Sequence, residues 1–155
     1  MDSIIIFCAK YLYLAVILIA GVYWLTLSKK LKIQLAIFGF VAGLIALALT
    51  KIGGSLFYDP RPFVSSNIIP LYAHSADNGF PSDHTVLTAF IAVTIFVASK
   101  KLGLVLLLLA VVIGTSRVLA HVHKPIDILG SLVFAAIGGL AACYVMPKIM
   151  AKVVK

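Results

Sequence analysis

The chain has 155 residues, of which 63% are hydrophobic and 12% charged, and its mean hydropathy is +1.15. Soluble domains average about 45–50% apolar and about 25% charged residues, so the composition excludes a soluble globular domain and a disordered chain. The formal net charge is +8. Most lysines stand in short runs between apolar segments, which argues against nucleic-acid binding and is typical of an integral membrane protein.

Five apolar segments follow one another along the chain, at 3–27, 33–50, 85–99, 102–117 and 126–147. They predict an all-α polytopic bundle of about five transmembrane helices, forming a single domain over 1–155. A span needs roughly 20 residues, and the third and fourth segments are slightly short of that. A helix that begins at the floor of a polar cavity would explain the shortness. The first segment has no basic n-region or convincing cleavage site, so we expect a permanent span.

Basic residues between the segments predict the orientation. The positive-inside rule places them in the cytoplasm; they are Lys29–Lys32, Lys100–Lys101, Lys148, Lys152 and Lys155. The N-terminus, 51–84 and 117–125 are then outside, and the C-terminus is cytoplasmic. Lys10 lies within the first span and either snorkels outward, which we favour, or faces the polar cavity. Cys8 and Cys143 fall in opposite halves of the membrane, too far apart for a disulfide.

Ionisable residues outside the lysine turns gather on the predicted outer side. They are Arg61, Arg117, His74, His84, His121, His123, Asp59, Asp77, Asp83 and Asp127. Such residues are costly at membrane depth, so a cluster on one side predicts a functional site.

Two predicted helices begin at this side. Ser82 follows a proline and precedes an apolar run, so it suits the N-cap position, with Asp83 and His84 in the first turn. Pro125 suits position N1 of the last helix, which places Asp127 at N3. Free N–H groups and positive dipole ends at such termini favour an anion, phosphate above all.

The cluster contains the groups needed for phosphoryl transfer. Arg61 and Arg117 provide planar forks that suit phosphate oxygens. A neutral His123 can attack phosphorus, and Asp127 can hold its other ring nitrogen. His84, when protonated, can donate a proton to the leaving oxygen.

Three motifs resemble those of a known family. Residues 116–127 read S-R-x5-H-x3-D, 81–84 read P-S-D-H, and 61–62 read R-P, with nine residues between Lys51 and this arginine. The pattern resembles the signature K-x6-R-P, P-S-G-H and S-R-x5-H-x3-D of the type-2 phosphatidic acid phosphatase (PAP2) superfamily. Strict spacing would put the lysine at position 54, which is glycine. Within that superfamily, the residues of these motifs most resemble those of the bacitracin-resistance type of undecaprenyl-diphosphate phosphatase.

The resemblance implies a role for each matched residue. His123 would be the nucleophile that forms a phosphohistidine, Asp127 would orient it, and His84 would protonate the leaving group. The implied phosphate-binding residues are Arg61, Arg117, Ser82, Lys51 and Asp83. No metal or cofactor is implied.

The resemblance also implies a substrate and a location. The enzyme would lie in a bacterial plasma membrane as a multi-pass protein with its active site facing outward. It would hydrolyse undecaprenyl (polyprenyl) diphosphate to the monophosphate and phosphate, recycling the lipid carrier of cell-wall synthesis. Its partners would be the lipid diphosphate and the bilayer. Relative to a six-span arrangement, we expect this chain to lack the N-terminal helix.

Three alternatives remain open at this point. The first is a glycerolipid phosphatase acting on phosphatidic acid or phosphatidylglycerol phosphate. The second is a metal site in a transporter or metalloenzyme, whose ligands would come from His121, His123, His84, His74 and Asp77. The third is a lipid-binding protein without activity. Outside the metal alternative, His74 and His121 are interpreted as polar loop residues. The oligomeric state is not predicted.

Overall fold

The computed structural model describes residues 1–66 and 68–153, and the regular structure of that part is helical. The helices are α1 (Asp2–Lys10), α2 (Leu12–Thr26), α3 (Lys29–Leu56), α4 (Pro62–Ser65), α5 (Asp83–Ala98), α6 (Lys100–Leu119) and α7 (Pro125–Val153). An isolated bridge joins Pro60 to Asn78. The predicted all-α class is confirmed.

Among the described residues, three helices are long and apolar enough to cross a membrane: α3, α6 and the Pro125–Met146 part of α7. Helices α1 and α2 meet at a bend of 46° and make a fourth candidate if the pair counts as one span. Helix α5 has 16 residues, which at 1.5 Å per residue gives about 24 Å, less than a hydrocarbon core of about 30 Å. The arrangement of five spans therefore stays a prediction.

Helix α5 packs against α3, α6 and α7, and small residues line these contacts. A Cβ atom on Gly39 would lie 3.1 Å from the Thr94 side chain, and one on Gly43 would lie 3.3 Å from the Phe90 ring. These glycines allow α3 and α5 to approach closely, as is common between membrane helices. Large apolar side chains face outward and suit a lipid environment; examples are Leu18, Phe40, Leu108 and Leu140.

The pairing of α3 with α5 is antiparallel, because residues early in α3 face residues late in α5. The turn before Lys29 and the turn before Lys100 therefore lie at the same end of the bundle. The free cysteines Cys8 and Cys143 are not joined. The remaining basic residues assigned to the cytoplasm lie outside the side chains that the structure describes; they are Lys148, Lys152 and Lys155.

Two helix boundaries differ from the sequence-based segments. Helix α3 continues past Lys51 to Leu56, because the Lys51 side chain is exposed and does not interrupt the helix. The first apolar segment is broken at Tyr11 into α1 and α2. The break puts the carbonyl of Ala9 next to Arg117 of the polar cluster.

Asn78 holds together the loops that follow α3. Its Nδ2 donates to the backbone oxygens of Gly54 at 2.8 Å and Phe57 at 2.9 Å. Its Oδ1 accepts from the backbone N–H groups of Asp59 at 2.9 Å and Phe80 at 3.0 Å. One side chain thus joins the end of α3 to the two polypeptide segments that precede Arg61 and Ser82.

We expect Asn78→Ala to remove these four hydrogen bonds and to lower the free energy of unfolding by about 2 kcal/mol or more. The measurement is the thermal unfolding midpoint of the purified protein in detergent. Ser55→Ala, which removes an exposed bond to the carbonyl of Ile52 within α3, is the control. Equal midpoints for the two variants would contradict the role given to Asn78.

Candidate active site

His123 lies in the turn between α6 and α7 and is 2% exposed. Its Nδ1 lies 3.0 Å from Oδ2 of Asp127, which is 1% exposed and stands at position N3 of α7 as predicted. The same oxygen accepts from the backbone N–H of Lys124 at 2.9 Å, which caps α7. Because an ionised carboxylate only accepts hydrogen bonds, we assign the proton to Nδ1 and the lone pair to Nε2.

Arg61 reaches His123 from the loop before α4. Its Nη1 lies 3.2 Å from Nε2 of His123 and donates to the carbonyl of Val122 at 2.7 Å. Its Nε donates to Oδ1 of Asp77 at 2.8 Å, and Nη2 donates to the carbonyl of Asn78 at 3.4 Å. The guanidinium is therefore held along its whole edge and is 5% exposed.

Arg117 reaches the same ring from the last turn of α6. Its Nη2 lies 3.2 Å from Nε2 of His123 and 3.2 Å from Nε2 of His74. Its Nη1 donates to the carbonyl of Ala9 at 3.0 Å, so the bend after α1 takes part in the site. Within the described part of the chain its Nε is buried and has no hydrogen-bond partner. A donor is thus left free beside the ring of His123.

Burial and the two arginines lower the pKa of His123 below its usual range, although the hydrogen bond to Asp127 acts in the opposite direction. The imidazole is therefore neutral at pH 7, as a nucleophile requires. Burial, followed by the charge of Arg61, also lowers the pKa of His74. Two uncharged rings thus stand edge to face beside the two guanidinium groups, with centroids 6.2 Å apart.

Ser82 is fully buried where α5 begins, next to α7. It occupies the predicted N-cap position, but its side chain does not cap the helix. Its Oγ instead accepts from the hydroxyl of Thr85 at 3.1 Å, and its N–H donates to Oγ of Ser131 at 2.9 Å. Ser131 in turn donates to the carbonyl of Asp127 at 2.6 Å. These bonds fix the second motif against the third.

His84 and Asp83 lie in the first turn of α5, as predicted. The ring of His84 packs edge to face against Tyr13, with centroids 4.8 Å apart, and lies within electrostatic range of Arg117 and His123. Asp83 is exposed and borders an apolar groove of about 310 Å³ between α3 and α5. The structure thus brings His84 within electrostatic range of His123 and leaves Asp83 at the edge of the cluster.

Lys51 is exposed on α3 and forms no hydrogen bond or ion pair with the described residues. The position required by strict motif spacing is Gly54, whose Cβ would lie 3.1 Å from the backbone oxygen of Phe80. Helix α3 therefore packs directly on the second motif, and a Cβ at position 54 would require the Phe80 carbonyl to shift by a few tenths of an ångström. This contact is a physical reason for the departure from the signature.

Sequence reasoning missed several groups that build the site. Lys124 is paired with Oδ1 of Asp59, and this ion pair joins the third motif to the loop after α3. Asn78 and Ser131 hold segments together but belong to no motif. Of these three residues, Lys124 has a signal in the sequence, because it directly follows His123.

The ligands of the metal alternative do not converge. Asp77 is engaged by Arg61, and Nδ1 of His121 lies 3.4 Å from the carbonyl of Ile69 at the surface. Among the described residues, no group of three His, Cys, Asp or Glu side chains is placed to hold a metal ion. The two guanidinium groups beside His123 would also repel a divalent cation.

Comparison with known proteins identifies relatives over most of this chain. The chain is 37% identical over 142 residues to "Undecaprenyl-diphosphatase BcrC" of Bacillus subtilis, covering 90% of this chain and 72% of that protein. It is 35% identical over 150 residues to "Bacitracin transport permease protein BcrC" of Bacillus licheniformis, covering 96% and 73%. It is 40% identical over 146 residues to "Putative undecaprenyl-diphosphatase YbjG" of Escherichia coli, covering 92% and 72%.

The fold and the family agree with these relatives. The crystal structure of Aquifex aeolicus LpxE superposes with a TM-score of 0.69 over 93% of this chain and 87% of that one, at 21% sequence identity. At that identity the likeness shows the fold alone. The PAP2 superfamily matches residues 33–151, which include all three motifs. The chain therefore belongs to the PAP2 superfamily and is a phosphatase of that family.

Proposed function

We propose that this phosphatase removes the terminal phosphate of undecaprenyl diphosphate at the outer face of a bacterial plasma membrane. The observation that carries the proposal is the convergence of Arg61 and Arg117 on Nε2 of His123, each at 3.2 Å. The names of the relatives from Bacillus subtilis and Escherichia coli support the choice of substrate. The product, undecaprenyl phosphate, would return to cell-wall synthesis as the lipid carrier.

In the first step, Nε2 of His123 attacks the terminal phosphorus. The bond from this phosphorus to the bridging oxygen breaks, its electron pair stays on the lipid phosphate, and His84 donates a proton to that oxygen. Arg61 and Arg117 bind the transferred phosphoryl oxygens and stabilise their charge. Asp127 stabilises the positive imidazole that forms.

In the second step, water attacks the phosphorus of the phosphohistidine. His84, which has lost its proton, accepts one from the water. The phosphorus–nitrogen bond breaks, its electron pair returns to Nε2 of His123, and inorganic phosphate leaves. The enzyme is then in its starting state.

The other predicted phosphate ligands differ in how deeply they are buried. Ser82 is buried beside Asp127, to whose carbonyl its N–H lies at 3.4 Å; we place it among the phosphate-binding groups. Lys51 and Asp83 have exposed side chains. Their role in phosphate binding stays a prediction from the motif resemblance.

The outward orientation is part of the proposal. The turns before Lys29 and Lys100 lie at one end of the bundle, and the loops that form the site lie at the other. Because basic turns favour the cytoplasm, the site would face outward.

Labelling of substituted cysteines tests this orientation. In a Cys8→Ala, Cys143→Ala background, a membrane-impermeant maleimide should label Ser75→Cys, in the site loop, in intact cells. It should label Lys101→Cys only after the membrane is opened. The reverse pattern would contradict the outward site.

His123→Ala should lower phosphate release from undecaprenyl diphosphate by at least about a thousandfold, because the attacking atom is removed. The measurement uses purified protein in detergent with excess EDTA, and phosphatidic acid as the second substrate. His121→Ala, in the same turn but facing the surface, is the matched control.

Each outcome of this assay tests a different hypothesis about the nucleophile, the substrate or a metal. Retention of near-normal turnover by His123→Ala would remove it as the nucleophile. Preference for phosphatidic acid would replace the polyprenyl substrate with a glycerolipid and keep the chemistry. Activity that EDTA removes and zinc restores would favour the metal alternative, in which His121 would also be needed.

Orthovanadate should inhibit competitively with the lipid, because a vanadate on Nε2 of His123 imitates the five-coordinate phosphorus of the transition state. Sulfate at the same concentration controls for simple anion binding. Indifference of the rate to millimolar vanadate would contradict a covalent histidine.

A further inference from the structure

Lys10, which has no carboxylate partner among the described residues, lies where the bend between α1 and α2 meets the site. Lys10 is the last residue of α1, and its Nζ lies 5.5 Å from the ring centroid of Tyr72 and 5.4 Å from that of Tyr11. The preceding residue, Ala9, accepts the hydrogen bond from Arg117. Lys10 is therefore fixed by its backbone next to the phosphate-binding arginine.

Three carboxylates around the site already have partners of their own. Asp77 binds Arg61 at 2.8 Å, Asp127 binds His123 at 3.0 Å, and Asp59 is paired with Lys124. In the described part of the chain, Lys10 forms contacts with aromatic rings but no ion pair. An ammonium within apolar helices is costly unless it serves a ligand or finds a counterion.

Tyr72 adds a second free group at the same place. Its hydroxyl is buried and has no hydrogen-bond partner among the described residues. Burial raises the pKa of Tyr72, while the charges of Arg117, Arg61 and Lys10 act in the opposite direction. The phenol therefore stays protonated at pH 7 and can donate, and the charges of three cations act on it.

We propose that the ammonium of Lys10 and the hydroxyl of Tyr72 form a second phosphate subsite. It would bind the phosphate that remains on the lipid while Arg61 and Arg117 hold the transferred one. This inference rests on the proposed function, because only a diphosphate substrate has a phosphate at each position. The subsite would thus distinguish diphosphates from phosphate monoesters.

The subsite also has a role in the chemistry. When the bond to the terminal phosphorus breaks, the electron pair stays on the bridging oxygen and adds negative charge to the retained phosphate. An ammonium beside that phosphate interacts more strongly with the product of this step than with the substrate, so it lowers the barrier.

Other lysines are less suited to this position. Lys51 is exposed on α3, and position 54, where the signature has lysine, packs against the second motif. Lys124 is already paired with Asp59. Lys10 comes from outside the three motifs, follows the residue that binds Arg117, and forms no ion pair with the described residues.

The test compares substrates rather than absolute rates. Lys10→Ala should reduce kcat/KM for undecaprenyl diphosphate about tenfold more than kcat/KM for phosphatidic acid, as expected for loss of one charged hydrogen bond. Lys10→Arg should retain most of the preference, and Tyr72→Phe should lose part of it. Lys101→Ala, at the far turn, is the charge-matched control. An equal loss on both substrates, or no loss, would overturn the subsite.

A binding measurement separates this inference from the proposed function. Calorimetry with methylenediphosphonate and orthophosphate should show tighter binding of the diphosphonate by wild-type protein, and Lys10→Ala should reduce that preference about tenfold. If Lys10→Ala does not fold, Lys10→Gln replaces it. A Lys10-dependent preference in a protein that hydrolyses no lipid diphosphate would refute the function and keep the subsite. Hydrolysis with a preference independent of Lys10 would do the reverse.

Discussion

The whole site depends on one carboxylate oxygen, Oδ2 of Asp127. It caps α7 through the N–H of Lys124 and fixes the ring of His123 through Nδ1. The start of a long helix and the orientation of the His123 ring are therefore set by the same atom. Without it, the ring could rotate or change tautomer, and the two guanidinium groups would lose the acceptor on which they converge.

The arginines are held mainly by neutral acceptors. Carbonyl oxygens of Val122, Asn78 and Ala9 accept hydrogen bonds from the two buried guanidinium groups without cancelling their charge. Within the described part of the chain, Arg61 alone of the two pairs with a carboxylate, Asp77, and that carboxylate is largely exposed. The geometry is thus satisfied by hydrogen bonds while the charge stays available, a balance that suits a site for a highly charged anion.

Composition and motif spacing predicted the helical class and the residues that meet at His123, because hydropathy and helix-start signals are local. They did not predict the bend at Tyr11, the burial of Gly54 against the second motif or the role of Asn78. Each of these depends on which distant segments touch, and an asparagine in a loop has no periodic pattern to mark it. Lys51 shows the converse: residue type and approximate spacing selected it, but the direction of its side chain on α3 was not encoded locally.

The bend between α1 and α2 has a consequence for how the domain should be delimited. The family match begins at residue 33, yet Arg117 bonds to a main-chain oxygen at residue 9. Because every amino acid supplies that oxygen, substitution there leaves no trace in sequence comparisons, and motif searches pass over it. A minimal version cut to the family boundaries would keep every signature residue. It would still lose the carbonyl of Ala9, which accepts a hydrogen bond from Arg117.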